Sequence, residues 1–146
     1  MILPAAIEVK VLTDDGSDID GQEILVHLDL LWHGEYYCGV HMGLTDQAGT
    51  ARISAGEIER QFDENRRLFP MDFKVPLDEC DEVARIGIMG SRAFLKHRGD
   101  PFPAWVPAAI TKEWNRARNG AYRPAQQPVT LADTKPIQAI ITIERA

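Results

Sequence analysis

The feature that most constrains this chain is strict period-two alternation of apolar and polar residues, repeated along much of its length. Ile7, Val9 and Val11 alternate with Glu8 and Lys10. Ile24, Val26, Leu28, Leu30 and Trp32 share one face of the next segment, opposite Leu25, His27, Asp29 and Leu31. Tyr36, Cys38, Val40, Met42 and Leu44 interleave with Tyr37, Gly39, His41 and Gly43. The pattern returns in Ala51–Ile53, in Phe69, Met71, Phe73, Val75 and Leu77, in Ala84, Ile86 and Ile88, and in Ile137, Ala139, Ile141 and Ile143. Period two puts each apolar set on one side of a pleated strand, so half-buried strands are expected rather than helices.

About seven such strands point to an all-β chain, a seven-stranded β-sandwich of transthyretin-like or immunoglobulin-like type. Pro70 and Pro76 assign the Phe69–Leu77 strand to a sheet edge, because proline cannot donate to a central ladder. One or two short surface helices are expected beside the sheets. Ser54 and Glu57 have capping-box spacing, and Ile58 and Phe62 follow on one helical face. Thr111 to Asn119 reads as a second helix, capped by the threonine and stopped at Gly120, with Trp114 as its one large apolar residue. Between residues 91 and 136 the strand pattern lapses, and DPFPAWVP and YRPAQQP read as proline-punctuated coil.

The stretch GLTDQAGTARIS (43–54) places Asp46-Gln-Ala-Gly49 between two strand-like pieces. Aspartate bonds its own backbone two residues on, and Gly49 takes positive φ without steric cost, so a hairpin-type connection is expected. With VLTDDGSDIDGQEILVHLDL before it, this stretch resembles the carboxypeptidase regulatory-like and collagen-adhesin B-type sandwiches, relatives of the transthyretin fold. The matching residues are Asp15, Gly16, Gly21, Val26, Leu28, Thr45, Asp46, Gly49, Ala51 and Ile53, within roughly the first third of the chain. The resemblance implies a Greek-key sandwich and mostly non-catalytic work in scaffolding, display and recognition. It does not extend to those adhesins that cross-link a first-strand lysine to a last-strand asparagine. Lys10 could supply the lysine, but IQAIITIERA holds no asparagine. Nor does the chain carry the Y-R-G-S ending of the related hydroxyisourate hydrolases; it ends Ile143-Glu-Arg-Ala146.

At 146 residues the chain fits one domain, residues 1–146, able to bury a core without staples. A net charge of −6 argues against a nucleic-acid backbone partner. No apolar run reaches the roughly 20 residues of a membrane span. The opening MILPAAIEVK lacks the basic start and apolar run of a secretory signal, so a soluble protein is expected, the cytoplasm being the favoured compartment. Cys38 and Cys80, without CxxC spacing, are read either as a mutual disulfide or as two buried thiols.

Candidate chemistry is sparse. Pairing Trp32 with Tyr36 across a hairpin sets His27 opposite His41, and a shift of two sets Asp29 there instead; either way the three share a sheet face. Two imidazoles and a carboxylate are a ligand set for zinc or iron(II), and a solvated outer face is the alternative. Tyr37 with His41 resembles the Tyr and His iron ligands of intradiol dioxygenases, although their paired H-x-H is missing. The acidic loop TDDGSDIDG fails the EF-hand pattern at its sixth and twelfth positions, Ile19 and Leu25, and reads as a solvated turn. None of the serines sits in G-x-S-x-G, so no acyl-transfer nucleophile is indicated. Lys96, His97, Arg98 and Arg92 form a small basic patch. Phe102, Trp105 and Trp114 either form a recognition patch or pin the long coil to the sandwich. The reading that follows is a non-catalytic interaction module without cofactor, with a protein or carbohydrate partner. Its last strand, Gln138 to Ile143, is either an edge that pairs with its own copy in a homodimer or a central strand with Ile140 packed beneath the Trp105 and Trp114 segment. A metal-dependent enzyme using His27, Asp29 and His41 is the alternative.

Overall fold

The computed structural model describes residues 1–17, 19–89 and 107–146. Among these residues seven strands form two sheets: β1 (Ala6–Thr13), β2 (Leu25–Trp32), β3 (Glu35–Leu44), β4 (Thr50–Ser54), β5 (Val83–Ile88), β6 (Ala125–Thr130) and β7 (Ile137–Ile143). Helix α1 (Ala55–Leu68) follows β4, and α2 (Ala108–Arg116) precedes β6. The sheets run β4-β1-β7 and β3-β2-β5-β6, with β1 and β7 parallel and every other pair antiparallel. This is the all-β sandwich that the alternation predicts.

The core lies between the sheets. Ile7, Val9 and Val11 of β1 face Val26, Leu28 and Leu30 of β2, all fully buried. Ile58 and Phe62 of α1 are buried against this core, as the capping-box helix requires, and the Ser54 hydroxyl accepts the Glu57 N–H at 3.2 Å. Gly49 stands at φ +78, and Asp46 accepts the N–H groups of Ala48 and Thr50. Cys38 and Cys80 are both free, buried thiols rather than a disulfide.

Three expectations need correction. Phe69–Leu77 is not a strand: Phe69 closes α1, turns follow, and a 3-10 turn runs Leu77–Glu79. Its apolar residues sit on irregular backbone, Phe69, Phe73, Val75 and Leu77 half-buried and Met71 exposed, with Phe73 edge-on to Tyr37 at 5.6 Å. The Tyr37 hydroxyl donates to the Val75 carbonyl (3.0 Å) and accepts its N–H (2.8 Å), doing for Val75 what a neighbouring strand would do. The seventh strand is instead β6, within the stretch read as coil; its Pro128 is tolerated because β6 lies at a sheet edge. Helix α2 begins after Pro107 rather than at Thr111 and stops at Arg116, because Asn119 is drawn into the sheet.

Candidate functional site

His27 and His41 are directly paired across β2 and β3, but not because Trp32 pairs with Tyr36. Trp32 pairs with Glu35 and Leu31 with Tyr36; the register then shifts before Leu30–Cys38. The extra residue at that bulge is Tyr37, and its effect is to exchange the two tyrosines. Tyr37 turns inward to Phe62 and Phe73, away from His41, so it is not placed to ligate beside that histidine. Tyr36, expected on the core face, lies outside at 64% exposure.

On this outer face the two imidazoles have different carboxylate partners. His27 Nδ1 and Asp29 Oδ1 are 3.1 Å apart on the same strand. His41 Nε2 meets Glu113 Oε2 of α2 at 2.5 Å. The backbone of His41 is held as well: Gln61 of α1 accepts its N–H and donates to its carbonyl, both at 2.7 Å. The position of His41 is therefore fixed from three elements. His27, Asp29 and His41 do share one face, but among the described residues no three His, Cys, Asp or Glu side chains gather closely enough to hold a metal ion.

The floor between these pairs is low because two outward positions are glycine. Gly39 pairs with Asp29, and the Tyr36 hydroxyl lies 2.9 Å from where a Gly39 side chain would begin. Gly87 pairs with His27; a side chain there would begin 2.7 Å from the Ala125 carbonyl oxygen and 3.2 Å from the imidazole. Loss of water around its hydroxyl raises the Tyr36 pKa above the ordinary phenol value, with the Asp29 charge adding to the shift.

Helix α2 forms the second wall. Trp114 packs with Leu44 and Met89 against buried Leu25 and Ala117. Arg116 holds Glu23 through two hydrogen bonds, one of them 3.0 Å from Nε. Beyond it Asn119, fully buried, uses its amide as a strand: Oδ1 accepts the Leu25 N–H (2.7 Å) and Nδ2 donates to the Leu25 carbonyl (2.9 Å). The pairing of β5 with β2 ends at Val26–Ile88, so Asn119 continues it by one residue. A groove of about 370 Å³ remains between sheet and helix, with His27, Asp29, Tyr36, His41 and Trp114 on its walls. Phe102, Trp105 and the Arg92, Lys96, His97, Arg98 patch lie outside the described residues. Glu113, Gln61 and Asn119 escaped the sequence reading; each acts on a residue distant in the chain, and no local pattern marks it.

No helix among the described residues is long and apolar enough to cross a membrane. No family model matches this chain, and no curated protein matches it. Among solved structures it is similar to a Caf1A usher C-terminal domain, described as bearing conserved surface hydrophobic clusters important for F1 antigen assembly. The identity is 7% and the TM-score 0.36, over 96% of this chain and 97% of that one, a likeness too distant to bear on function.

Proposed function

We propose that this chain is a non-catalytic binding module whose ligand seat is the groove between the β3-β2-β5 face and α2. Asp29 carries the reading. It is a carboxylate only 8% exposed, and its one hydrogen bond within the described residues is the 3.1 Å contact with His27. A charge so withdrawn from water needs further donors, and the groove leaves room for a ligand to bring one. The exposed ring of Tyr36 beside it suits a cation, and the chain's net charge of −6 draws one in. The ligand class is thus a basic group, a guanidinium or ammonium on a protein partner. The likeness to regulatory-like and adhesin-type sandwiches agrees with a recognition role, as an analogy of fold.

The test is a nuclear magnetic resonance titration with an arginine-containing peptide, a lysine-containing peptide and a neutral sugar. Shifts confined to His27, Tyr36 and Trp114, produced by the basic peptides and lost in Asp29→Asn, are expected. Shifts from the sugar alone would replace the basic partner with a carbohydrate; no shift from any probe would refute the seat.

A second reading, a zinc- or iron-dependent enzyme, draws on the direct pairing of His27 with His41. The separate partners of the two imidazoles, Asp29 and Glu113, speak against it. Elemental analysis of protein purified without added metal decides. Stoichiometric zinc or iron that disappears in the His27→Ala, His41→Ala double variant would overturn the binding-module reading.

A further inference from the structure

Among the described residues the two sheets have four edges, and three carry a device that discourages another strand from pairing. At β3, the Gln61 amide occupies the backbone of His41. At β6, Pro128 removes a donor from within the strand. At β4, the strand is five residues long, carries Arg52 on its outer face and runs straight into α1. Short strands, charges, prolines and covering helices are the usual protections of an edge.

The fourth edge, β7, has none of these. Among the described residues Ile137–Ile143 pairs with β1 alone, and its sequence IQAIITI holds no proline and no charge. A further segment meets only the residues beyond it, where the Arg123 N–H donates to the Glu144 carbonyl and Tyr122 bridges Arg145. A parallel ladder uses the backbone groups of alternate residues, which leaves those of the intervening residues directed to the open side. The outer face of the strand shows Gln138, Ile140 and Thr142, all exposed, with Ile140 at 54%. The structure thus settles the position of Ile140: it is not covered by the Trp114 segment.

We propose that β7 pairs with β7 of a second copy, antiparallel about a twofold axis through Ile140. The sequence is self-complementary about that point. Ile140 meets Ile140 of the partner subunit, Gln138 faces Thr142 of the partner subunit, and no like charges oppose. Each sheet of three strands then continues into its copy as one sheet of six. A second copy fits better than an unrelated peptide, because a twofold pairing consumes both open edges and closes the assembly, whereas the other three edges offer no route to a chain of subunits. A single strand pair falls short of the roughly 1,200 Å² of a standard interface, so the dimer is weak and appears only as concentration rises.

Sedimentation equilibrium over a wide concentration range tests this, with circular dichroism as the check on folding. Wild type is expected to pass reversibly from monomer to dimer, and Ile140→Lys, which sets two ammonium groups face to face, to stay a folded monomer. A second variant, Gln138→Glu with Thr142→Lys, sets opposite charges across the same axis, so its dimer should tighten several-fold and loosen again with added salt. A wild type that is monomeric throughout overturns the proposal, as does a folded Ile140→Lys protein that still dimerises. Should Ile140→Lys unfold, the charge-pair variant decides alone: unchanged or weakened association overturns the edge pairing.

Discussion

Removing the side-chain amide of Asn119 should cost more than almost any other single polar deletion in this chain. Asn119→Ala strands two backbone groups of Leu25 at once, the N–H bonded at 2.7 Å and the carbonyl bonded at 2.9 Å, where Asn119 is fully buried. A hydrogen bond contributes about 1 kcal/mol net, but a buried group left without a partner costs about 1–3 kcal/mol. Two such groups give a loss of about 2–6 kcal/mol, the lower end applying if water enters the space vacated. Against a typical total of about 5–15 kcal/mol the variant should still fold. Asn119→Asp keeps the acceptor for the N–H but sets a second oxygen against the Leu25 carbonyl, so at neutral pH it should be no more stable than the alanine variant. Urea unfolding followed by tryptophan fluorescence gives the free energies, and amide hydrogen exchange at Leu25 gives the site. The expected pattern is a lower midpoint with an unchanged slope, and exchange at Leu25 accelerated beyond that at Leu28. An Asn119→Ala protein within about 0.5 kcal/mol of wild type would refute the claim that this amide completes the sheet.

Further expectations follow from particular contacts. Gly49→Val should lower stability by about 1–3 kcal/mol, because valine is strained at φ +78 and its side chain would begin 3.3 Å from the Val11 carbonyl; a thermal melt reads the loss. Gly87→Ala should be costlier than Gly39→Ala: its side chain collides at 2.7 Å with the Ala125 backbone, whereas at Gly39 the obstacle is the free end of Tyr36, which can swing away. Paired melting curves compare the two. Hydrogen bonds from the Ser17 hydroxyl, Thr13 and the Ser17 N–H hold the Asp15 pKa down to about 2. That stability is complete above about pH 4, where an unfolded aspartate titrates, and is lost as the pH falls through 2, so wild type and Asp15→Asn should differ at neutral pH and converge in acid melts. Burial pushes the Cys38 and Cys80 thiols up to about 11, so both should resist alkylation at pH 8 until denaturant is added, as mass spectrometry would record.

Where the sequence was legible, a local rule coincided with a tertiary need. The alternation in β1 and β7 reports burial on one face, and the Ser54 cap and Gly49 turn are set by their own residues. Where local chemistry is indifferent, the reading failed. β6 is AQQPVT, with only Val129 of the strand buried, so its alternation carries no apolar signal. Phe69–Leu77 alternates well, yet its turns satisfy the backbone locally and Tyr37 satisfies Val75. The face of Tyr36 depends on one extra residue at a bulge: a period-two count holds for Cys38, Val40 and Met42, which are buried, and fails for Tyr36 across the bulge. The histidine pair was found because the two ring-bearing strands are joined by a short connection. Its partner Glu113 was not, since it lies 72 positions beyond His41.

The parallel union of β1 and β7 has a kinetic consequence. Ile7 pairs with Ile137, 130 positions later (137 − 7). Bringing such distant segments together costs roughly 4 kcal/mol of loop-closure entropy beyond the constant term, before any contact returns it. Pairings of this range slow folding toward the millisecond-to-second regime. During synthesis Ile7, Val9 and Val11 emerge early and have β4 to lie against, but the other side of β1 stays open until β7 has been made. β1 therefore waits for β7 through the synthesis of everything that lies between them.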